Sequence, residues 1–226
     1  MRIGILQTGH SPDEVRDELG DYGQMFTRLL DGYGYDFTTY SVVDGDFPSG
    51  PDAADGWLIT GSKHGAYEDH DWIAPLEALI RQIRDAGRPL VGVCFGHQII
   101  AQALGGKVAK FDGGWAVGRQ TYDIDGEQIA LNAWHQDQVV ELPEGGRVFA
   151  SNDFCANAGF MIGDRIMTIQ PHPEFTAKMI DALIQHRGRG NVSDDILNAA
   201  QDNLSQPVDA PAFADRMADV LNKGDK

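Results

Sequence analysis

Five short apolar runs, at residues 3–7, 37–43, 56–60, 89–94 and 165–169, are separated by longer stretches of helical period. This alternation restricts the fold more than any other feature, because strands joined through helices assemble into a parallel sheet covered on its faces. The clearest helix spans 72–87, where Ile73, Leu76, Ile80 and Ile83 recur at three- and four-residue intervals before Gly87-Arg88-Pro89 ends it. Further helices are expected over about 21–30, and from Gly96 through Ile99, Ile100 and Ala103 to Gly105-Gly106. Between 107 and 149, Gly113-Gly114, Asp125-Gly126 and Gly145-Gly146 separate strand-like pieces, which predicts a small antiparallel excursion from the α/β frame. The chain of 226 residues is expected to form an α/β domain over 1–186, with a helical extension over 187–226 packed on it. In that extension Ser193-Asp194-Asp195 starts one helix, and Pro211 opens another that carries Phe213, Met217, Val220 and Leu221.

Composition removes several classes of function. Lys and Arg number 18 against 34 Asp and Glu, a net charge of −16, and no basic cluster interrupts the acidic balance. Such a chain repels phosphate backbones, so no nucleic-acid partner is expected. No apolar run approaches the roughly 18 residues that cross a bilayer, and the amino terminus lacks the basic and greasy regions of a leader, so no membrane association is expected. Two cysteines, Cys94 and Cys155, are too few for a disulfide framework and point to a reducing cytoplasm.

The two cysteines differ in context. Gly92-Val93-Cys94-Phe95-Gly96 follows a buried apolar run and precedes a helix, so Cys94 belongs on a tight strand-to-helix turn. This is the thiol counterpart of the G-x-S-x-G elbow, where flanking glycines relieve crowding around a strained nucleophile. The start of the helix favours thiolate, and the Phe95 N–H points toward an oxyanion forming on a bound carbonyl. A small buried hydrophobe is the alternative for Cys94, and it is the reading adopted for Cys155, in a loop with no neighbouring base. Among seven histidines, His172 in Gln170-Pro171-His172-Pro173-Glu174 is best placed as the base, because it follows the last apolar run directly. In an open parallel sheet the carboxyl ends of neighbouring strands share one edge, where Cys94 and His172 can meet. Glu174 can reach back to the other ring nitrogen and fix the tautomer; a helix-capping role is its alternative.

Gly92-Val-Cys-Phe-Gly-His-Gln98 and Gln170-Pro-His-Pro-Glu174 together closely resemble the class I, triad-type glutamine amidotransferases, whose elements read G-x-C-x-G-x-Q and H-P-E. Ile59-Thr60-Gly61-Ser62 corresponds to that family's oxyanion loop, and Gly114-Trp115-x-Val-Gly118 and His135-x-Asp137-x-Val139 also fit. The nearest likeness is to stand-alone members, among them γ-glutamyl peptidases and proteins similar to the amidotransferase part of GMP synthetase. The resemblance implies a flavodoxin-like three-layer α/β/α fold with a mostly parallel sheet, and a catalytic Cys94, His172 and Glu174. It further implies an oxyanion hole from Gly61 and Phe95, and substrate contacts from Gln98, His135 and Ser62. A solvent-facing hairpin position is the alternative for His135. Lys63 and His64 depart from the small residues of many relatives and are either substrate-selecting or simply exposed.

The first function expected is hydrolysis of a γ-glutamyl amide, in glutamine, a γ-glutamyl amine or a γ-glutamyl peptide, through a γ-glutamyl thioester. The second is a glutaminase subunit that delivers ammonia to a separate acceptor enzyme. A fused acceptor domain would need roughly 150–300 further residues, which places the independent hydrolase first. The third is a non-catalytic regulator that binds a glutamyl ligand. Zinc held by His135-x-Asp137 and His172-x-Glu174 is the metal alternative, but no HExxH or CxxC spacing is present, so neither metal nor cofactor is expected. The acidic balance favours cationic amines as leaving groups. The oligomeric state is left open.

Overall fold

The computed structural model describes residues 1–225. Strands β1 (Arg2–Leu6), β2 (Asp36–Tyr40), β3 (Gly56–Ile59) and β4 (Leu90–Val93) are interleaved with α1 (Asp13–Leu19), α2 (Tyr22–Leu29) and α3 (Ile73–Asp85). After α4 (Phe95–Ala103) come β5 (Lys107–Lys110), β6 (Ala116–Ile124), β7 (Glu127–His135), β8 (Asp137–Glu141), β9 (Gly146–Ser151), β10 (Gly159–Ile162) and β11 (Ile166–Ile169). Helices α5 (Ala177–Leu183), α6 (Asp194–Asp202) and α7 (Ala210–Leu221) follow.

Nine strands form one sheet in the order β2-β1-β3-β4-β11-β10-β9-β6-β7. The first five run parallel, and β10, β9, β6 and β7 continue the same sheet antiparallel. β5 and β8 pair apart as a short ribbon. The alternation of side chains along each strand divides the core between the two faces of the sheet. Ile3, Ile5, Leu58, Val91 and Val93 pack under Phe26 of α2 and Phe213, Met217 and Leu221 of α7. Leu6, Trp57, Ile59 and Leu90 pack under Leu76, Ile80 and Ile83 of α3 and Ile99 and Ile100 of α4. The result is the α/β sandwich with covered faces that the apolar runs require.

Differences from the sequence reading have local causes. The antiparallel part reaches Ile162 rather than ending near 149, because β9 and β10 pair before the chain returns as β11. The second strand stops at Tyr40, and Val42–Asp44 form a 3-10 turn. Helix α1 buries none of its residues and so carries no apolar period. Asp21 caps α2 in a capping box with Gln24, which fixes its start. Among the described residues no helix is long and apolar enough to cross a membrane.

The last helix is tied to the sheet and packs on the main core. Asp209 accepts from the Ala130 N–H at 2.8 Å and donates its own N–H to the Ala130 carbonyl at 2.7 Å, which ties the start of α7 to β7. Phe213 and Met217 then enter the main core. Phe213→Ala is therefore expected to cost about 3–5 kcal/mol, read as a lowered urea midpoint; a midpoint equal to wild type would show that α7 adds no core.

Candidate active site

β4 sits between β3 and β11, with Gly92 opposite Ile59 and Val93 opposite Ile169. The carboxyl ends of these three parallel strands are thus level. Whatever follows them meets at one edge: Gly61 and Ser62 after β3, Cys94 after β4, and His172 after β11. The connection at Cys94 is the tightest, since β4 ends at Val93 and α4 begins at Phe95. Cys94 is held at φ 53° and ψ −103°, a conformation that costs a non-glycine residue about 1–3 kcal/mol. Its N–H donates to the Ile169 carbonyl at 2.9 Å, and the Gly96 N–H donates to the Thr60 carbonyl at 3.1 Å, so both neighbouring strands hold the turn. The two flanking glycines permit that closeness. A β-carbon on Gly92 would lie 2.5 Å from Ile100 Cδ1, and one on Gly96 would lie 2.3 Å from the Ile59 carbonyl oxygen.

His172 faces this turn from β11. Cys94 lies close enough to influence the protonation of its ring, and its Nδ1 lies 2.6 Å from Glu174 Oε1 with both side chains buried. With Nδ1 taken by the carboxylate, Nε2 is the nitrogen left for the sulfur. The ring stacks on Phe175 at 3.9 Å and 3° between planes, and the His172 N–H is fixed to the Asn132 carbonyl of β7 at 2.7 Å. Burial alone would push the imidazole toward its neutral form. The negative charges of Glu174 and Cys94 and their hydrogen bonds outweigh burial and lift its pKa to about 10.

Of the remaining sequence candidates, Gly61 comes closest to this pair. A β-carbon there would lie 2.8 Å from His172 Cε1 and 3.7 Å from Cys94 Cβ. Neither the Gly61 nor the Phe95 N–H has a backbone acceptor among the described residues. Ser62 Oγ accepts from the His64 N–H at 3.2 Å. Gln98 is buried, and its amide nitrogen donates to the Asp137 carbonyl at 3.0 Å and to Gln170 Oε1 at 3.1 Å. It therefore ties the cleft floor to β8. His135 is buried at the end of β7, not solvent-facing; its Nδ1 is 3.3 Å from the Asp137 carbonyl and its Nε2 has no partner. Burial, with nearby His172, pushes it down to about 3, so it stays neutral.

Cys94, His172, Ser62, Gln98 and His135 line one cleft of about 550 Å³. A larger groove of about 690 Å³ lies beyond Glu174 and Phe175 but includes neither Cys94 nor His172. Sequence reasoning missed Tyr22 and Arg187, which also line the cleft. Arg187 reaches it from a π-helical turn after α5, donating to Tyr22 Oη at 3.3 Å and to the His10 carbonyl at 2.9 Å. Nothing in Gln185-His186-Arg187-Gly188 marks that role. The cleft also departs from the charge of the whole chain: Lys63, Lys110 and Arg187 line it against Glu68 and Asp137. Net charge thus gives no guide to the leaving group. Cys155 is buried on the far side of the Asn152 turn, where burial pushes its thiol up to about 12, and His97 points into the core against Thr168 and Phe160.

The family model "Glutamine amidotransferase class-I" matches residues 19–187. The chain belongs to this family. It is 35% identical over 192 residues to γ-glutamyl peptidase 4 of Arabidopsis thaliana, covering 77% of this chain and 76% of that protein. It is 33% identical over 139 residues to the GMP synthase of an Azoarcus strain, covering 54% of this chain and 26% of the synthase. A glutamine amidotransferase of Thermotoga maritima superposes with a TM-score of 0.75 at 20% identity over 99% of this chain and 97% of its own, a likeness of fold. The flavodoxin-like architecture that the family resemblance implies agrees with this likeness of fold.

The Gly96 contact makes a direct test of the elbow. Gly96→Ala should lose about 1–3 kcal/mol through overpacking and, in the folded protein, slow iodoacetamide labelling of Cys94. Unchanged stability and labelling would show that the turn tolerates a side chain.

Proposed function

We propose that the chain hydrolyses γ-glutamyl amide bonds with Cys94 as nucleophile, His172 as general acid and base, and Glu174 as the group that orients and charges the imidazole. The alignment of these three side chains at level strand ends is the observation that carries this reading. The likeness to γ-glutamyl peptidase 4 over three quarters of both chains supports the substrate class.

The sulfur attacks the γ-carbonyl carbon as a thiolate, and the oxygen becomes an oxyanion facing the free N–H groups of Gly61 and Phe95. The C–N bond then breaks as His172 Nε2–H protonates the departing nitrogen, leaving a γ-glutamyl thioester on Cys94. Water enters, His172 removes its proton, and the thioester opens to glutamate and free thiol. His135, neutral with an unpartnered Nε2, supplies a hydrogen-bond acceptor for the glutamyl ammonium. Lys63, Lys110 and Arg187 favour substrates that bear carboxylates, which places γ-glutamyl peptides ahead of γ-glutamyl polyamines. Ser62 and Gln98 act mainly by holding the loops that form the walls.

The purified chain, assayed alone on glutamine, a γ-glutamyl amine and a γ-glutamyl dipeptide, should release glutamate fastest from the dipeptide. Negligible turnover that an added synthase restores would instead favour an ammonia-delivering subunit, the arrangement suggested by its likeness to the amidotransferase portion of GMP synthase. Cys94→Ala should lower kcat by at least about 10³-fold, and Glu174→Gln by about 10²–10⁴-fold, both in a protein that still folds by circular dichroism.

The pH profile separates the role of Glu174 from simple packing. His172 must be protonated to release the amine, so kcat/KM should hold through mildly alkaline pH and fall as the imidazole loses its proton near pH 10. The carboxylate raises that pKa, so Glu174→Gln should move the alkaline limb to lower pH. A limb that stays in place would mean that Glu174 does not charge the imidazole.

A further inference from the structure

The loop between β3 and α3 carries a cluster that the hydrolytic reaction leaves unused. His64, Glu68 and His70 each present one ligand atom, and these three atoms lie within 4.8 Å of one another. His64 Nδ1 is 3.3 Å and His70 Nε2 2.8 Å from the same oxygen, Glu68 Oε2. Ligands around a tetrahedral zinc-sized ion, with bonds of about 2.0–2.1 Å, stand roughly 3.3 Å apart. Both nitrogen–oxygen separations are therefore within about half an ångström of a coordinated arrangement.

The donors are held in place by the surrounding fold. His70 lies parallel to Trp72 at 5.9 Å and 8°, and His64 meets His70 edge-on at 4.3 Å and Trp72 at 5.8 Å. Trp72 in turn packs on Phe95, the residue after Cys94, at 5.5 Å. The backbone is tied by Glu68 N–H to the Gly65 carbonyl at 3.1 Å and Ile73 N–H to the His70 carbonyl at 3.0 Å. These ring contacts and the closed turn limit the orientations open to the two imidazoles.

We propose that His64, Glu68 and His70 bind a divalent transition-metal ion of the zinc type at the mouth of the Cys94 cleft. Two imidazoles and one carboxylate suit such an ion and are a poor match for calcium or magnesium, which prefer all-oxygen shells. Three protein ligands leave a coordination position for water or for a carboxylate of a bound molecule. His64 and Glu68 line the cleft wall, so that position borders the space a substrate occupies. Cys94 and His172 are not ligands, so the site does not depend on the hydrolytic reading.

Zinc affinity, measured by competition with a chromophoric chelator, separates this site from capture by the catalytic thiol. Wild type and Cys94→Ser should bind zinc equally, whereas Glu68→Gln and a His64→Ala/His70→Ala variant should bind it roughly tenfold or more weakly. Cobalt should give visible d–d absorption in Cys94→Ser without a thiolate charge-transfer band. The loop side chains are partly exposed, and circular dichroism checks that each variant folds. Loss of binding in Cys94→Ser alone, or wild-type affinity in folded Glu68→Gln and His64→Ala/His70→Ala, would overturn the proposal.

Discussion

The backbone hydrogen bond from Gly96 to the Thr60 carbonyl, together with that from Cys94 to the Ile169 carbonyl, is the constraint on which the rest of the site depends. These two contacts pin the turn after β4 between its neighbouring strands. The turn can be so short only because Gly92 and Gly96 let α4 lie directly against the sheet. Once that spacing is set, Gly61 and His172 have no freedom to stand elsewhere. Each comes from a strand in parallel register with, or adjacent to, β4, and each chain segment leaves the sheet at the same level. The strained conformation of Cys94 is the local cost, and the buried strands on both sides hold it in place.

Much of this was legible in the sequence because the most informative segments are local. β1, β3, β4 and β11 are short and buried on both faces, so they read as continuous apolar runs. The elbow around Cys94 and the His-Pro-Glu element around His172 are each read within a few residues. By contrast, α1 buries none of its residues, and β10 is a four-residue strand whose last two side chains are only partly covered. Neither carries a period to detect. Arg187 and Tyr22 meet across 165 residues of chain, and their partnership exists only after α2 and the turn following α5 have packed. The convergence of His64, Glu68 and His70 likewise depends on Trp72, whose neighbours are set by α3 and Phe95 and not by spacing alone.

Charge shows the same division between what is summed along a chain and what is placed by a fold. A net charge of −16 describes the field at a distance, where it governs solubility and attraction of cations. Within the cleft, Lys63, Lys110 and Arg187 outnumber the two carboxylates, and contact distances make local charges dominate over the screened remainder. A substrate is drawn by the surface it touches.

The His172–Glu174 pair is an expensive element to bury, since each ion loses several kcal/mol of hydration that mutual attraction only partly restores. One carboxylate oxygen, Glu174 Oε2, has no hydrogen-bond partner among the described residues. Apolar replacements of the same volume would serve a core as well or better. The arrangement makes physical sense when the imidazole must carry a positive charge beside a sulfur in a water-poor site. Glu174 then has its effect through His172, by holding the ring and raising its proton affinity, while the packed layers of α2 and α7 supply the stability that the pair itself does not.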